Sequence, residues 1–458
     1  MKFTHSLLIA VGADYVSASA QTVNSQNTSG NAIVDVAART GQAQFLGSNF
    51  IYGFPDNGVE AQVSIPDHFL TGIKFNACRA GGAQIAAGGW GSGGYAEYIG
   101  RFNSTLSNYR STRKYNGEFI LLLHDLWGAD GGSSPDDLVP GDNGDYTEFQ
   151  KFLAQVKKDI EANDMLDGLI IDIWNEPELE IFWKRSWEQY LDYYVHATGL
   201  VRTVITGPSF AHAPTIDSTY WNSWASVVAG SRTLPDIYSW HQIGVWEREP
   251  DRSVADFKAL LNLYGLPDKP IDLNEYAWTT EQNPANSAFY LAQLERHNVR
   301  GLRANWGSGG GLHDYLANLV YKSESDGEYQ PNGEWHLYNY YANMTGDRVA
   351  TTAAADRQFD VFATASCGEV KILAGTRSAQ AAYDVIVRGL PKLGFPRRGE
   401  IGVRILRFDW NGQFADVGGP VDQGCSHYPV QDGQLTFTVD PPTNSTAFAF
   451  EISPHGKC

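Results

Sequence analysis

Cysteine, methionine and positive charge are all scarce in this chain, and each shortage excludes something. Four cysteines in 458 residues are too few for a disulfide scaffold. Cys367, Cys425 and Cys458 crowd the C-terminal part, enough for one or two bridges in an oxidising compartment. Cys78 stands apart near Ile73, Phe75 and Ala77 and reads as a buried free thiol. No CxxC or His/Cys spacing marks a zinc site. Only 34 Lys and Arg face 52 Asp and Glu, and the net charge of −18 argues against nucleic acid or an anionic membrane surface as partner. Beyond the N-terminus no apolar run approaches ~18 residues, so no membrane span is expected. Motifs for cofactor chemistry are missing too. Gly207-Pro208-Ser209-Phe210-Ala211 lacks the last glycine of a serine-hydrolase elbow, and there is no HExxH or P-loop. The glycine run 307–311 lacks a Lys or Arg anchor and reads as a rim rather than a phosphate cradle. No metal and no organic cofactor are expected.

What is abundant is apolar and aromatic. Apolar residues reach 43% against 19% charged, ample for a large core and incompatible with a disordered chain. Thirteen Trp and 23 Tyr suit an aromatic core, and equally a surface that stacks flat, neutral, hydroxyl-rich ligands. Residues 1–20 carry Lys2, a short apolar run from Leu7 to Val11 and Ala18-Ser19-Ala20, the layout of a cleavable signal peptide. Sequons at Asn27, Asn103, Asn343 and Asn444 agree with a glycosylating secretory route. A secreted, extracellular protein is expected; its oligomeric state is not legible.

Between residues 44 and 340, β-type runs recur. They are Gln44-Phe45-Leu46 into Phe50-Ile51-Tyr52, then Ile73 to Arg79, Glu118 to His124 and Leu169 to Glu176. Val204 to Ser209, Ile237 to Gln242, Pro270 to Tyr276 and Gly301 to Trp306 complete eight, the last five starting 35, 33, 33 and 31 residues apart. Helical stripes lie between them. Thr147 and Gln150 form a capping-box signature before Phe149, Phe152, Leu153, Val156 and Ile160. Ser253 opens another stripe that Gly265 closes, and Trp187, Tyr190, Leu191, Tyr194 and Val195 make a third. Nearly continuous apolar strands alternating with helices predict a (β/α)₈ TIM barrel over 44–340. An open doubly wound sheet would want a glycine fingerprint after its first strand, and none is there. After about residue 341 the apolar period falls to two, predicting a C-terminal all-β sandwich over 341–458. Ile33 to Ala37 alternates the same way, so segment 21–43 is expected to lend that domain a strand.

Barrel chemistry belongs at the C-terminal ends of the strands. Those ends read Arg79, His124, Asn175-Glu176, His241-Gln242, Glu275 and Trp306. Two carboxylates three strands apart can face each other across the mouth. With hydrogen-bonding groups and an aromatic around them, they suit glycosidic bond cleavage, which needs one protonated and one ionised carboxyl group.

Ile173-Trp174-Asn175-Glu176-Pro177 resembles the Asn-Glu-Pro signature that ends the fourth strand in the clan A retaining glycoside hydrolases. Ile271-Asp272-Leu273-Asn274-Glu275-Tyr276 is similar to their seventh-strand nucleophile segment. In domain layout the chain most resembles glycoside hydrolase family 39. The resemblance implies Glu176 as acid/base, Glu275 as nucleophile, Asn175 at the sugar 2-hydroxyl and Arg79 beside Glu275. It departs from the pattern at the sixth strand. Many clan members have His-x-Tyr there, but this chain has His241-Gln242-Ile243, so the usual Tyr that orients the nucleophile is missing. His124, His241, Gln242 and Trp306 complete the expected substrate-binding set. Glu178, Glu180 and Glu281 are expected to be solvated, and Asp125 and Asp272 to be structural neighbours. The expected substrate is a neutral oligo- or polysaccharide. The alternative is a non-catalytic carbohydrate-binding protein on the same barrel.

Overall fold

The computed structural model describes residues 28–56, 64–244, 248–305, 311–366 and 368–453. Eight parallel strands close into a barrel. They are β1 (Asn49–Ile51), β2 (Ala77–Ala80), β3 (Glu118–Leu122), β4 (Leu169–Asp172), β5 (Val204–Phe210), β6 (Ile237–Gln242), β7 (Ile271–Tyr276) and β8 (Val299–Arg303). Closure comes from Asn49 pairing with Leu302 and Phe50 with Arg303. The strands are short and almost wholly buried because helices cover their outer face, which is why they read as apolar runs rather than alternating ones.

The second run pairs only from Ala77 and the eighth only to Arg303, and two further boundaries fall short of the sequence reading at the candidate site. The β4 ladder stops at Asp172, so Asn175 and Glu176 lie in the segment after the strand. Residues Leu123–Trp127 form a short helix, which puts His124 just past β3 instead of at its end. In both places apolar residues stay buried after pairing has ceased (Ile173 and Trp174; Leu123 and Leu126), so hydropathy overran the strand.

The helices follow their stripes but not all of their expected caps. Thr147–Ala162 buries Phe149, Phe152, Val156 and Ile160. Its cap position is Tyr146 rather than Thr147, no capping box forms, and Asp145 Oδ1 instead accepts the Thr147 N–H at 2.8 Å. Helix Pro250–Tyr264 starts three residues before Ser253, because proline at the first helical position has no N–H to lose. It ends at Gly265, whose φ of 64° is the left-handed conformation a terminating glycine supplies.

The second domain is all β, with its own apolar core. Its nine strands form one closed ring, hydrogen-bonded all the way round, where two packed sheets were expected. The N-terminal strand Asn31–Gln42 belongs to this ring, pairing parallel with Tyr383–Arg388 and antiparallel with Asp347–Thr352. Strand Val421–Gln431 escaped sequence reading because ten of its eleven residues lie outside the core, which removes the alternating signal.

Helix Pro284–His297 joins the domains. It packs on strands Phe359–Ser366 and Glu369–Thr376 on one side and the barrel on the other, and so is buried on nearly every face. Contact there is so close that a Cβ at Gly375 would stand 2.2 Å from the Ala285 carbonyl oxygen. Beside it Arg303 forks onto both Glu334 oxygens, at 2.8 and 2.6 Å, and Ser287 Oγ donates to the same carboxylate at 2.6 Å. Cys78 is buried and free. Among the described residues no helix is long and apolar enough to cross a membrane.

Candidate active site

At the C-terminal end of the barrel, Arg79 on β2 is fully buried and holds three acceptors at once. Its Nη1 reaches Glu275 Oε1 on β7 at 2.6 Å, its Nη2 reaches Asn175 Oδ1 at 2.8 Å, and its Nε reaches Asp172 Oδ2 on β4 at 3.0 Å. A guanidinium is the one side chain with enough fixed donors for this. Burial alone would lower its pKa, but Asp172 and Glu275 outweigh that and raise it, so the charge is permanent. Asp172 is itself positioned by Ser209 Oγ at 2.8 Å and Asn274 Nδ2 at 3.1 Å. A polar layer beneath the mouth thus fixes Arg79, and Arg79 fixes Glu275.

Glu176 is set by its backbone. Its φ of 45° lies in the left-handed region, and its N–H donates to the Ser209 carbonyl at 3.0 Å. This turn redirects the chain after β4 and lets the carboxyl group face β6. There Glu176 Oε1 lies 2.6 Å from His241 Nδ1, and the same nitrogen stands 3.5 Å from Glu275 Oε2. Burial pushes the Glu176 carboxyl up to about 7, against the opposing pull of Arg79 and two histidines. Burial also lowers His241, to about 4, so the imidazole is neutral at neutral pH. A neutral ring forms a hydrogen bond with either form of Glu176, accepting O–H from the acid or donating N–H to the carboxylate. The two glutamates therefore sit in different surroundings: one is desolvated beside a neutral ring, the other is paired with a guanidinium.

The remaining expected residues fall as follows. Gln242 is buried at the end of β6, opposite Tyr276 in the ladder. His124 is buried with Nε2 at 2.9 Å from Asp125 Oδ1, and its ring lies 6.0 Å from that of Trp174. Asp125 also takes the Tyr52 hydroxyl. Asp272 lies among buried residues and pairs with Arg300 across the β7–β8 edge. Trp306 lies outside the described residues, as do Cys367, Cys458, Asn27 and the segment 1–20. Two expectations of solvation fail. The Glu178 side chain is covered, accepting the His212 N–H at 3.0 Å. Glu281 is buried against Arg377, 2.7 Å away. Glu180 is exposed. Asp172, Ser209 and Asn274 were not anticipated. Asp172 had a signal, since a carboxylate ending the apolar run Leu169-Ile170-Ile171 must find a buried partner.

Glu176, His241 and Glu275 bring one donor atom each within 4.8 Å of one another, the one such group among the described residues. A cation there would share Glu275 with the Arg79 guanidinium and face its charge, so the residues fit a carboxylate pair better than a metal centre.

No family model matches the sequence, and no curated protein matches it. Its structure is similar to that of a protein of Neocallimastix frontalis, at 18% identity and TM-score 0.71, over 93% of this chain and 99% of the other. It is also similar to a glucosidase of Croceicoccus marinus, at 15% identity and TM-score 0.59, over 93% and 99%. A third neighbour is a Paenibacillus polymyxa xyloglucanase of glycoside hydrolase family 44, at 14% identity and TM-score 0.55, over 92% and 99%. At these identities the likeness establishes the fold, a TIM barrel carrying a β domain.

Proposed function

We propose that the protein is a retaining glycoside hydrolase that cleaves O-glycosidic bonds of a neutral oligo- or polysaccharide. The observation that carries this is the pair of unlike carboxyl groups: Glu176 held protonatable near pH 7, Glu275 ion-paired with Arg79, and oxygens of the two within 4.8 Å. Such closeness supports double displacement, since inverting enzymes hold the carboxyl groups ~6.5–9.5 Å apart to admit a water. In the first step Glu275 attacks the anomeric carbon while Glu176 gives its proton to the leaving oxygen. Esterified Glu275 no longer carries a charge, so the pKa of Glu176 falls and it takes a proton from the attacking water. Asn175 and His124 would hydrogen-bond sugar hydroxyls. With no sixth-strand Tyr, Arg79 and His241 take over the orientation of Glu275. Glycosidase neighbours, among them the xyloglucanase, favour this reading over a non-catalytic sugar-binding protein.

We further propose a place near family 39, for which the N-terminal strand paired into the β domain is the support. Secretion is also proposed. The exposure of Asn343 and Asn444 supports it, whereas Asn103 is half-buried within a helix and a poor acceptor. The test is sugar release from a panel of plant and microbial polysaccharides. Turnover by the wild type, its loss in Glu275→Ala, and azide rescue giving a glycosyl azide of inverted configuration are expected. Binding without turnover on every substrate would favour the non-catalytic alternative.

A further inference from the structure

Of the tryptophans in the segments that follow the barrel strands, three are engaged in packing. Trp90 lies edge-on to Tyr98 and Phe152, Trp127 edge-on to Phe152, and Trp183 stacks on Tyr193. Trp278 is different. It follows Glu275 by three residues and is 42% exposed.

The backbone that carries Trp278 is held on both sides. Ala277 adopts a φ of 70°, uncommon for a residue with a Cβ. Its carbonyl accepts Gln282 Nε2 at 3.2 Å, and that amide also reaches the Ala304 carbonyl beyond β8 at 2.8 Å. The Trp278 N–H donates to Glu281 Oε2 at 2.7 Å, which also takes the Gly244 N–H from the loop after β6. The other Glu281 oxygen faces the second domain, accepting Arg377 Nη1 at 2.7 Å and the Tyr290 hydroxyl at 3.1 Å. Arg377 follows strand Glu369–Thr376, is buried, and pairs through Nε with Glu249 at the start of helix Pro250–Tyr264. One guanidinium from the β domain thus ties down the segments that follow both β6 and β7.

We propose that Trp278 is a sugar platform at the rim of the cleft, taking the apolar face of a pyranose ring, and that Arg377 is the positioning residue that holds it there. An indole whose backbone is already fixed loses little freedom when a ring stacks on it. The inference rests on the glycosidase assignment and adds a binding residue to it, with a substrate-positioning duty for the second domain beyond stabilising the barrel.

The test combines binding and rates. Cellohexaose, xylohexaose and mannohexaose are titrated calorimetrically into Glu275→Gln protein, with and without Trp278→Ala or Trp278→Phe. Initial rates are measured on the same Trp278 changes in otherwise wild-type protein. Trp278→Ala should weaken binding of the preferred hexasaccharide about tenfold and raise KM to match, with kcat within about twofold, and Trp278→Phe should recover most of it. Arg377→Met should raise KM in the same way while the protein stays folded at the assay temperature, and Arg377→Lys should restore part. Where Arg377→Met does not fold, Glu281→Gln gives the same readout. Unchanged binding in Trp278→Ala would overturn the platform. A fall in melting temperature without a rise in KM in the Arg377 and Glu281 variants would overturn the positioning role. Binding that depends on Trp278 without turnover by the wild type would overturn the glycosidase assignment alone, and no binding by any protein would overturn both.

Discussion

Replacing Glu176 by Gln should make the protein more stable, and only above a certain pH. Burial raises the Glu176 carboxyl from its ordinary 4.5 to about 7. Between those values the folded protein keeps a proton that the unfolded chain has released. Folding stability therefore falls as pH rises through this window, and the full loss is present above about 7. The gap between 4.5 and about 7, at ~1.36 kcal/mol per pH unit, is about 3 kcal/mol. An amide is neutral at every pH, has nearly the same shape, and can still bond His241 Nδ1, so the variant escapes the loss. Glu176→Gln and wild type should melt together below pH ~4.5, and should separate progressively to a difference on the order of 3 °C at pH ~8. Scanning calorimetry across that range reads it directly and needs no substrate. A melting difference that stays constant with pH would refute a raised Glu176 pKa, and with it the basis for calling Glu176 the acid.

Further outcomes follow from the same contacts. Arg79→Lys offers one ammonium to three acceptors, so the acidic limb of the kcat/KM profile should move up by about a unit, read on any chromogenic glycoside that the enzyme turns over. Arg79→Met strands the Asp172 and Glu275 carboxylates in the interior and should cost about 3–5 kcal/mol in chemical denaturation. The basic limb of the wild-type profile should fall at about 7, and azide added to Glu176→Ala should give a glycosyl azide of retained configuration. Gly375→Ala pushes a methyl group against the Ala285 carbonyl and should destabilise the protein by about 1–3 kcal/mol, measured by melting.

The sequence spoke clearly where burial leaves a pattern. Eight apolar runs, the last five at steady spacing, were visible as a barrel, because strands covered on both faces admit little but aliphatic and aromatic residues. The glutamates at the fourth and seventh runs stood out as carboxylates where such runs end. Less legible was anything decided by one local backbone angle or by a distant partner. The left-handed turn at Glu176 has no glycine to announce it. Thr147 had the letters of a cap, yet it is already the first helical residue, and its own N–H goes to Asp145 Oδ1. Glu281 looks like any loop carboxylate, and only the Arg377 of another domain explains its burial. The exposed strand Val421–Gln431 carries no alternation because it faces solvent, so pairing alone defines it.

The central claim is that Glu275 forms a covalent bond to the sugar while Glu176 handles the proton. The most direct measurement is mass spectrometry of the intact protein and its peptides after incubation with 2-deoxy-2-fluoro glycosides, whose slowed second step traps the intermediate. One fluoroglycosyl adduct per chain is predicted, on the peptide containing Glu275, formed by the wild type and absent from Glu275→Gln. An adduct on Glu176 would reverse the two roles. A protein that hydrolyses the parent glycoside with inversion and takes no label would contradict the double-displacement account outright.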